Sequence, residues 1–344
     1  MKRFFVIPMF VVFLSGLILG AAAAPALAEK AIELKLSHMD PAGSKVDKLY
    51  HRWAKKMNKE TNGRLNIRVI PGAVLVNAFE TYQGVEKGVA DIGGSFRYSR
   101  KGAELTGLIS MFFAGIPNGA ISTRILDEIR EKFPAYNQEW QGAKELFLIA
   151  IGPATLVTKK KPLSTLEDIK GQQIRVPVRE AADYLKALGG TPVGMPMSEL
   201  LISMQKGTVD GASVQLYAIQ SFKIAPVAKY CTLFSLYNPS NYFAMMNWDR
   251  WNKLPPDIQK VIDDSRGWFK REMVAAYDDG DAGAIGWAKK QGMKFTTLSP
   301  AERKRWFSII GPVQDQQAAA LDAKGYPATA VLKFVRERMD AYIK

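Results

Sequence analysis

The sequence predicts an α/β protein of two lobes with a cleft between them. Three observations carry that expectation. Stretches of strand period and helix period alternate along the chain, glycine and proline punctuate them, and 344 residues are enough for two separate cores.

Residues 32–37 alternate apolar and polar side chains with period two, the mark of a half-buried strand. Over residues 47–61, Leu49, Tyr50, Trp53 and Met57 recur at helical spacing, and Asn62-Gly63 offers a left-handed cap. Residues 65–70 read as a second strand, closed by Pro71-Gly72. A helix over 78–87 stops at Gly88, and a buried strand over 89–93 follows. This strand–helix–strand order predicts a parallel sheet with helices on its faces.

The second half repeats the scheme. Residues 146–151 are strand-like, Gly152-Pro153 breaks them and residues 156–158 resume. Residues 174–176 and 191–193 bracket a helix over 180–188, which Gly189-Gly190 caps. A helix over 198–205 stops at Gly207, and residues 210–214 start the next element. Pro255-Pro256-Asp257 opens a long helical pattern reaching Lys290, with proline suited to the first turn and Asp257 to the positive end of the helix dipole. The cluster Asp278-Asp279-Gly280-Asp281-Ala282-Gly283 is expected to interrupt it. Residues 301–344 read as mostly helical, with a break at Gly325-Tyr326-Pro327.

Lys2 and Arg3 precede an apolar run over residues 4–19 and an alanine-rich stretch ending in Ala26-Leu27-Ala28. This is the pattern of a cleavable export signal over residues 1–28; the apolar run is slightly short for a membrane span. The expected location is the periplasm. The single thiol, Cys231, has no partner within the chain, so an exported form is held together by its core. The formal charge is +14, and loss of Lys2 and Arg3 leaves +12. A basic exported protein suits anionic partners: carboxylated solutes, phosphates or a membrane surface. Nucleic acid is not expected, because the densest basic run, Lys159-Lys160-Lys161, has no interleaved aromatics to stack bases.

The segment Gly171-Gln172-Gln173-Ile174-Arg175-Val176-Pro177 seats one arginine among apolar residues at a strand end. A guanidinium so placed is costly unless an anion meets it, and its planar fork grips a carboxylate through two parallel hydrogen bonds. The lead-in from Lys161-Pro162 to Ile169-Lys170 reads as a turn and a short helix. Pro196-Met197-Ser198-Glu199-Leu200 and Gln205-Lys206-Gly207-Thr208-Val209-Asp210-Gly211 follow downstream. In this order the set resembles the solute-binding proteins of TRAP (tripartite ATP-independent periplasmic) transporters, the DctP-like family. The resemblance covers nearly the whole chain after residue 28. It implies a two-lobed periplasmic-binding-protein fold with a long helix spanning both lobes. It also implies a small organic anion as ligand, TRAP membrane permease subunits as partners, and no cofactor. The lobes are expected over residues 29–152 with about 240–279, and over 153–239 with about 280–344.

The same resemblance implies that Arg175 holds the ligand's carboxylate. Where many members carry a second arginine before the Lys-Pro turn, this chain has Thr155. Where a Glu-Asn pair often follows Asp-Gly, it has Ala212-Ser213-Val214-Gln215; Val178 replaces the asparagine that some sugar-acid binders carry after Arg-Val-Pro, and Met197 takes the cleft position of its segment. These departures remove hydrogen-bonding capacity. Val178, Met197 and Val214 beside one arginine suit a monocarboxylate with an apolar or aromatic body, since a sugar acid or dicarboxylate would leave polar groups unpaired. Asp91-Ile92-Gly93-Gly94-Ser95-Phe96 resembles the family's cleft-lining strand end, with Ser95 to bond a ligand oxygen and Phe96 to cover its apolar face. Arg97 is a candidate substitute cation. Tyr237 and Asn241 offer a phenol and an amide, and Met39 borders the cleft.

An enzyme is not expected. The two histidines, His38 and His51, fall on different elements, and no G-x-S-x-G, H-E-x-x-H, G-x-x-x-x-G-K-[ST] or G-x-G-x-x-G pattern occurs. Two rival readings remain: a sensor subunit that presents its ligand to a membrane kinase, and a periplasmic hydrolase or isomerase.

Overall fold

The structure, a computed structural model, describes residues 30–97, 102–239 and 241–343, with Met1. The expected signal segment, residues 1–28, lies outside the described residues but for Met1. The first part of the chain runs β1 (Ile32–His38), α1 (Lys45–Glu60), β2 (Leu65–Ile70), α2 (Thr81–Glu86), β3 (Ile92–Phe96), α3 (Glu104–Phe112), α4 (Gly119–Lys132), α5 (Pro134–Gln138) and β4 (Lys144–Ile149). It continues through β5 (Ala154–Thr158), α6 (Leu166–Ile169), β6 (Gln173–Val176), α7 (Arg179–Ala187), β7 (Thr191–Gly194), α8 (Leu200–Lys206), β8 (Gly211–Gln215), α9 (Leu216–Ser221) and β9 (Tyr230–Tyr237). It ends with β10 (Tyr242–Met246), α10 (Trp248–Asn252), α11 (Pro256–Lys290), β11 (Lys294–Thr296), α12 (Pro300–Asp322) and α13 (Ala328–Tyr342).

Local chemistry accounts for the element ends. Ser44 caps α1 by accepting from the Asp47 amide, and Asp47 and Lys59 sit at the ends that the helix dipole favours. The apolar stripe of α1 buries Leu49, Tyr50, Trp53 and Met57. Trp53 stacks on Phe269 with ring centroids 4.6 Å apart and donates its indole N–H to Ser265 Oγ at 3.0 Å, which ties α1 to α11. Thr165 and Asp168 form a reciprocal capping box at the start of α6.

The strands form two sheets, in the orders β2-β1-β3-β10-β4 and β11-β9-β5-β8-β6-β7. Both are mixed, which corrects the expectation of a parallel sheet. In the first, β1 runs parallel to β2 and β3, while β10 lies antiparallel between β3 and β4. In the second, β6 runs parallel to β7 and β8, and β5 is antiparallel to β8 and β9. The antiparallel members arrive through long-range pairing that local periodicity does not encode. Val89, expected in a buried strand, is 47% exposed, and β3 starts at Ile92.

Helix α11 is continuous over 35 residues, and the expected interruption at 278–283 does not occur. Its acidic residues meet the unpaired N–H groups that open two other helices. Asp278 accepts from Gly119 N (2.8 Å) and Ala120 N (3.1 Å) at the start of α4. Asp281 accepts from Tyr217 N (2.7 Å) at the start of α9. Gly280 lets α9 approach, since a Cβ there would stand 3.0 Å from Tyr217 Cβ. The helix packs on α1 and β4, which belong to the first sheet's layer, and on α9 beside the second. No helix among the described residues is long and apolar enough to cross a membrane.

Candidate ligand-binding site

The carboxyl ends of β1, β3, β6 and β8 face one cavity, the position that open α/β sheets favour for ligands. Its lining includes Met39, Phe96, Gly107, Ser110, Met111, Arg175, Pro177, Val178, Met197, Gln215, Tyr217, Tyr237, Pro239 and Asn241. The room for water-sized centres is about 40 Å³. One water needs about 10–15 Å³ on that measure, so the space suits a small solute.

Arg175 is the one charged residue of this lining among the described residues, and it is 4% exposed. Its Nε donates to Met195 O at 2.9 Å and its Nη1 to Ser213 O at 3.2 Å. Those two carbonyls fix the plane of the guanidinium. Around it stand three methionines, Phe96, Val178 and two prolines, a water-poor surround in which a charge–charge contact gains strength. Asn241 is held by a two-way exchange with the Arg97 backbone, its Nδ2 donating to Arg97 O at 2.6 Å and its carbonyl accepting from Arg97 N at 3.0 Å. Phe96 meets Tyr242 edge-on at 5.0 Å, and Tyr217 meets Tyr277 edge-on at 4.7 Å.

Behind these rings Asp40 is fully buried, with Oδ2 accepting from Tyr242 at 3.2 Å and Tyr277 at 3.4 Å. Burial pushes its carboxyl up to about 7 against those two hydrogen bonds. Asp281 is likewise pushed up by burial to about 7, against the hydrogen bond from Tyr217 N. Tyr237 sits beside Arg175. Burial raises its phenol pKa, and the guanidinium, Ser213 and Gln215 oppose that rise.

Of the residues singled out in the sequence, Arg175, Phe96, Met197, Val178, Asn241, Tyr237 and Met39 line this cavity. Ser95, Thr155 and Val214 do not. Ser95 Oγ donates to Ala78 O at 2.8 Å; Thr155 Oγ1 donates to Val214 O at 3.1 Å, and Cys231 Sγ lies 3.6 Å from it; Val214 is fully buried in the core. One reason covers all three. Successive residues of a strand face opposite sides, and the cavity-facing neighbours of Ser95 and Val214 are Phe96 and Gln215, while Thr155 shares the side of Val214 as its register partner. Arg97 is also elsewhere, its guanidinium 3.9 Å from the Tyr82 ring centroid with Nη2 donating to Gly102 O. Sequence reasoning passed over Gly107, Ser110 and Met111 of α3, and Gln215, Tyr217, Pro177 and Pro239. Period two from Ala212, the register partner of Arg175, runs through Val214, so counting along the strand favours Val214 and gives no signal for Gln215.

Residues 36–320 match the family model described as bacterial extracellular solute-binding protein, family 7 (DctP). The chain belongs to that family. A curated solute-binding protein of Albidiferax ferrireducens is 26% identical over 302 residues, spanning 80% of this chain and 83% of its own. Among solved structures, a TRAP solute-binding protein of Rhodoferax ferrireducens with copurified benzoate aligns with TM-score 0.81 at 23% identity, covering 90% of this chain and 98% of that one. A TRAP periplasmic solute-binding protein of Bordetella bronchiseptica with bound mandelate aligns with TM-score 0.78 at 24% identity, covering 90% and 99%. The fold is therefore the two-lobed one of TRAP periplasmic binding proteins. TRAP solute-binding proteins bind small organic acids and work with membrane permease components; they carry solutes and do not transform them.

Proposed function

We propose that this DctP-family protein captures a monocarboxylate with an apolar or aromatic body and delivers it to a TRAP permease. Arg175 grips the carboxylate, and Met39, Phe96, Met111, Val178 and Met197 enclose the body. The observation that carries this reading is a single buried guanidinium as the one charge of an otherwise mostly apolar lining among the described residues. A second carboxylate or a sugar's hydroxyls would leave polar groups without enough partners there. Export by removal of residues 1–28 delivers the protein to the periplasm. The ligand is buried as residues 29–152 with about 240–279 close on the rest.

The test is a thermal-shift and calorimetric screen of residues 29–344, with Arg175→Ala and Arg175→Lys alongside. Benzoate and phenylacetate are expected to raise Tm, succinate and galacturonate to leave it unmoved. Loss of one partner of a buried charge pair costs about 2–5 kcal/mol, so Arg175→Ala is expected to abolish measurable binding. Arg175→Lys is expected to bind weakly because the two-pronged geometry is gone. Equal responses of wild type and Arg175→Ala would make Arg175 a structural residue.

A further inference from the structure

Three adjacent strands of the second sheet place Tyr237, Ala154 and Gln215 on one rung. Ala154 of β5 is the register partner of Gln215 on β8 and of Tyr237 on β9. Side chains on one rung point to the same face of a sheet, so Tyr237 and Gln215 stand together with only a methyl group between them. Both line the cavity, and so does Arg175, two strands away from Ala154 on β6.

The Tyr237 hydroxyl is buried without a hydrogen bond of good geometry. The Gln215 amide, 9% exposed, lies near enough to act on that phenol without closing a hydrogen bond of good geometry to it. Buried polar groups in folded proteins are ordinarily satisfied, and a buried phenol left without a partner, beside an amide on the same cavity wall, marks the place of a ligand atom. A phenol gives one hydrogen bond and takes others, and an amide does both through separate atoms. A hydroxyl group on the ligand satisfies the pair in both directions, which neither a methylene nor a bare ring edge does. Arg175 Nη1 donates to Ser213 O at 3.2 Å, two residues before Gln215 on β8, which brings the guanidinium to the same end of the cavity as the rung. An oxygen reached by Tyr237 is then near the carboxylate that Arg175 holds.

We infer that Tyr237 and Gln215 read a second oxygen on the carbon next to the carboxylate, and that the preferred ligands are 2-hydroxy acids with an apolar or aromatic body. This rests on the proposal that Arg175 binds a monocarboxylate, and it adds the group that distinguishes one such acid from another. It also revises the expectation that the departures at Val178 and Val214 leave the pocket short of hydrogen-bonding groups. They remove some, and the rung restores others.

The experiment compares acids that differ only in that hydroxyl: mandelate against phenylacetate, and 2-hydroxy-4-methylpentanoate against 4-methylpentanoate. Each is titrated calorimetrically into wild type, Tyr237→Phe, Gln215→Leu and Arg175→Ala. Sites that hydrogen-bond a ligand hydroxyl reject the analogue lacking it strongly, so wild type is expected to prefer each hydroxy acid by about tenfold or more. Tyr237→Phe and Gln215→Leu are expected to bring both ratios towards one, by weakening the hydroxy acids more than the hydroxyl-free acids. A purely structural role would weaken both members of a pair alike, and that result overturns the inference. So does a wild type that binds the two members equally while Arg175→Ala binds neither, an outcome that leaves the monocarboxylate reading intact. If no acid of either pair binds wild type, both fall together. Should Tyr237→Phe misfold, Gln215→Leu carries the same test from the other end of the rung.

Discussion

At the scale of single residues, the two features of the site differ in how far sequence reveals them. Arg175 was legible because a lone guanidinium among Ile174, Val176 and Pro177 has few inexpensive explanations. Gln215 and Tyr217 were not, because facing a cavity rather than the core depends on which side of a sheet is covered. Asp40 was invisible too, since its environment is assembled from Tyr242 and Tyr277, far along the chain. Its pKa of about 7 stands above the 3.8 of a free aspartate, so folding takes up a proton between those values. The stability this adds is complete below about pH 4 and lost as pH rises to about 7. Asp40→Asn is therefore expected to flatten the fall of Tm over that window relative to wild type, seen in melts at stepped pH. Comparing the two proteins separates Asp40 from His38, which burial lowers to about 4 and whose effect has the opposite sign.

At the scale of elements, periodicity revealed what has one wet face. Helix α1 announced itself through an apolar stripe, and β1 and β2 through alternation. Helix α3, which supplies Gly107, Ser110 and Met111 to the cavity, gave no such signal because every residue after Glu104 is buried, leaving no polar face to set a phase. Strand β10 is buried on both faces and reads as a plain apolar run. Glycines report close approach instead. A Cβ on Gly211 would stand 2.3 Å from Val157 O and 2.9 Å from Ile174 Cδ1, where β8 is squeezed between β5 and β6. Gly211→Ala is expected to destabilise by about 3 kcal/mol in urea unfolding, the upper range for forcing atoms into a filled site.

At the scale of the molecule, sequence gave two α/β halves and a long helix but not the late return of the chain to the first sheet through β10. That return depends on pairing with β3 and β4, segments some 100 to 150 residues earlier. The span of α11 gives the two sheets a common frame: ion pairs from Lys144 to Asp263 and from Lys270 to Asp127 fasten its earlier turns, and Asp281 fastens a later turn to α9. Pairs that stay open to solvent on their carboxylate side add little each, so the frame depends on the unbroken helix more than on its charges. Proline at the exposed Ala275 is expected to cost about 3 kcal/mol in urea unfolding and to weaken ligand binding, although it lies outside the cavity. Ala275→Gly, which loosens the helix without kinking it, is expected to cost about 1 kcal/mol and leave Kd unchanged by calorimetry.

Asp278 and Asp281 lie one turn apart on that helix, one meeting α4 and the other α9. They work like the two pins of a drafting compass set on one bar. The bar keeps the pins at a constant spacing, so whatever opens the cavity must either draw one pin from its socket or swing both sockets about the bar. Release of the solute is then a question of torque on a single rod rather than of slack in several linkers.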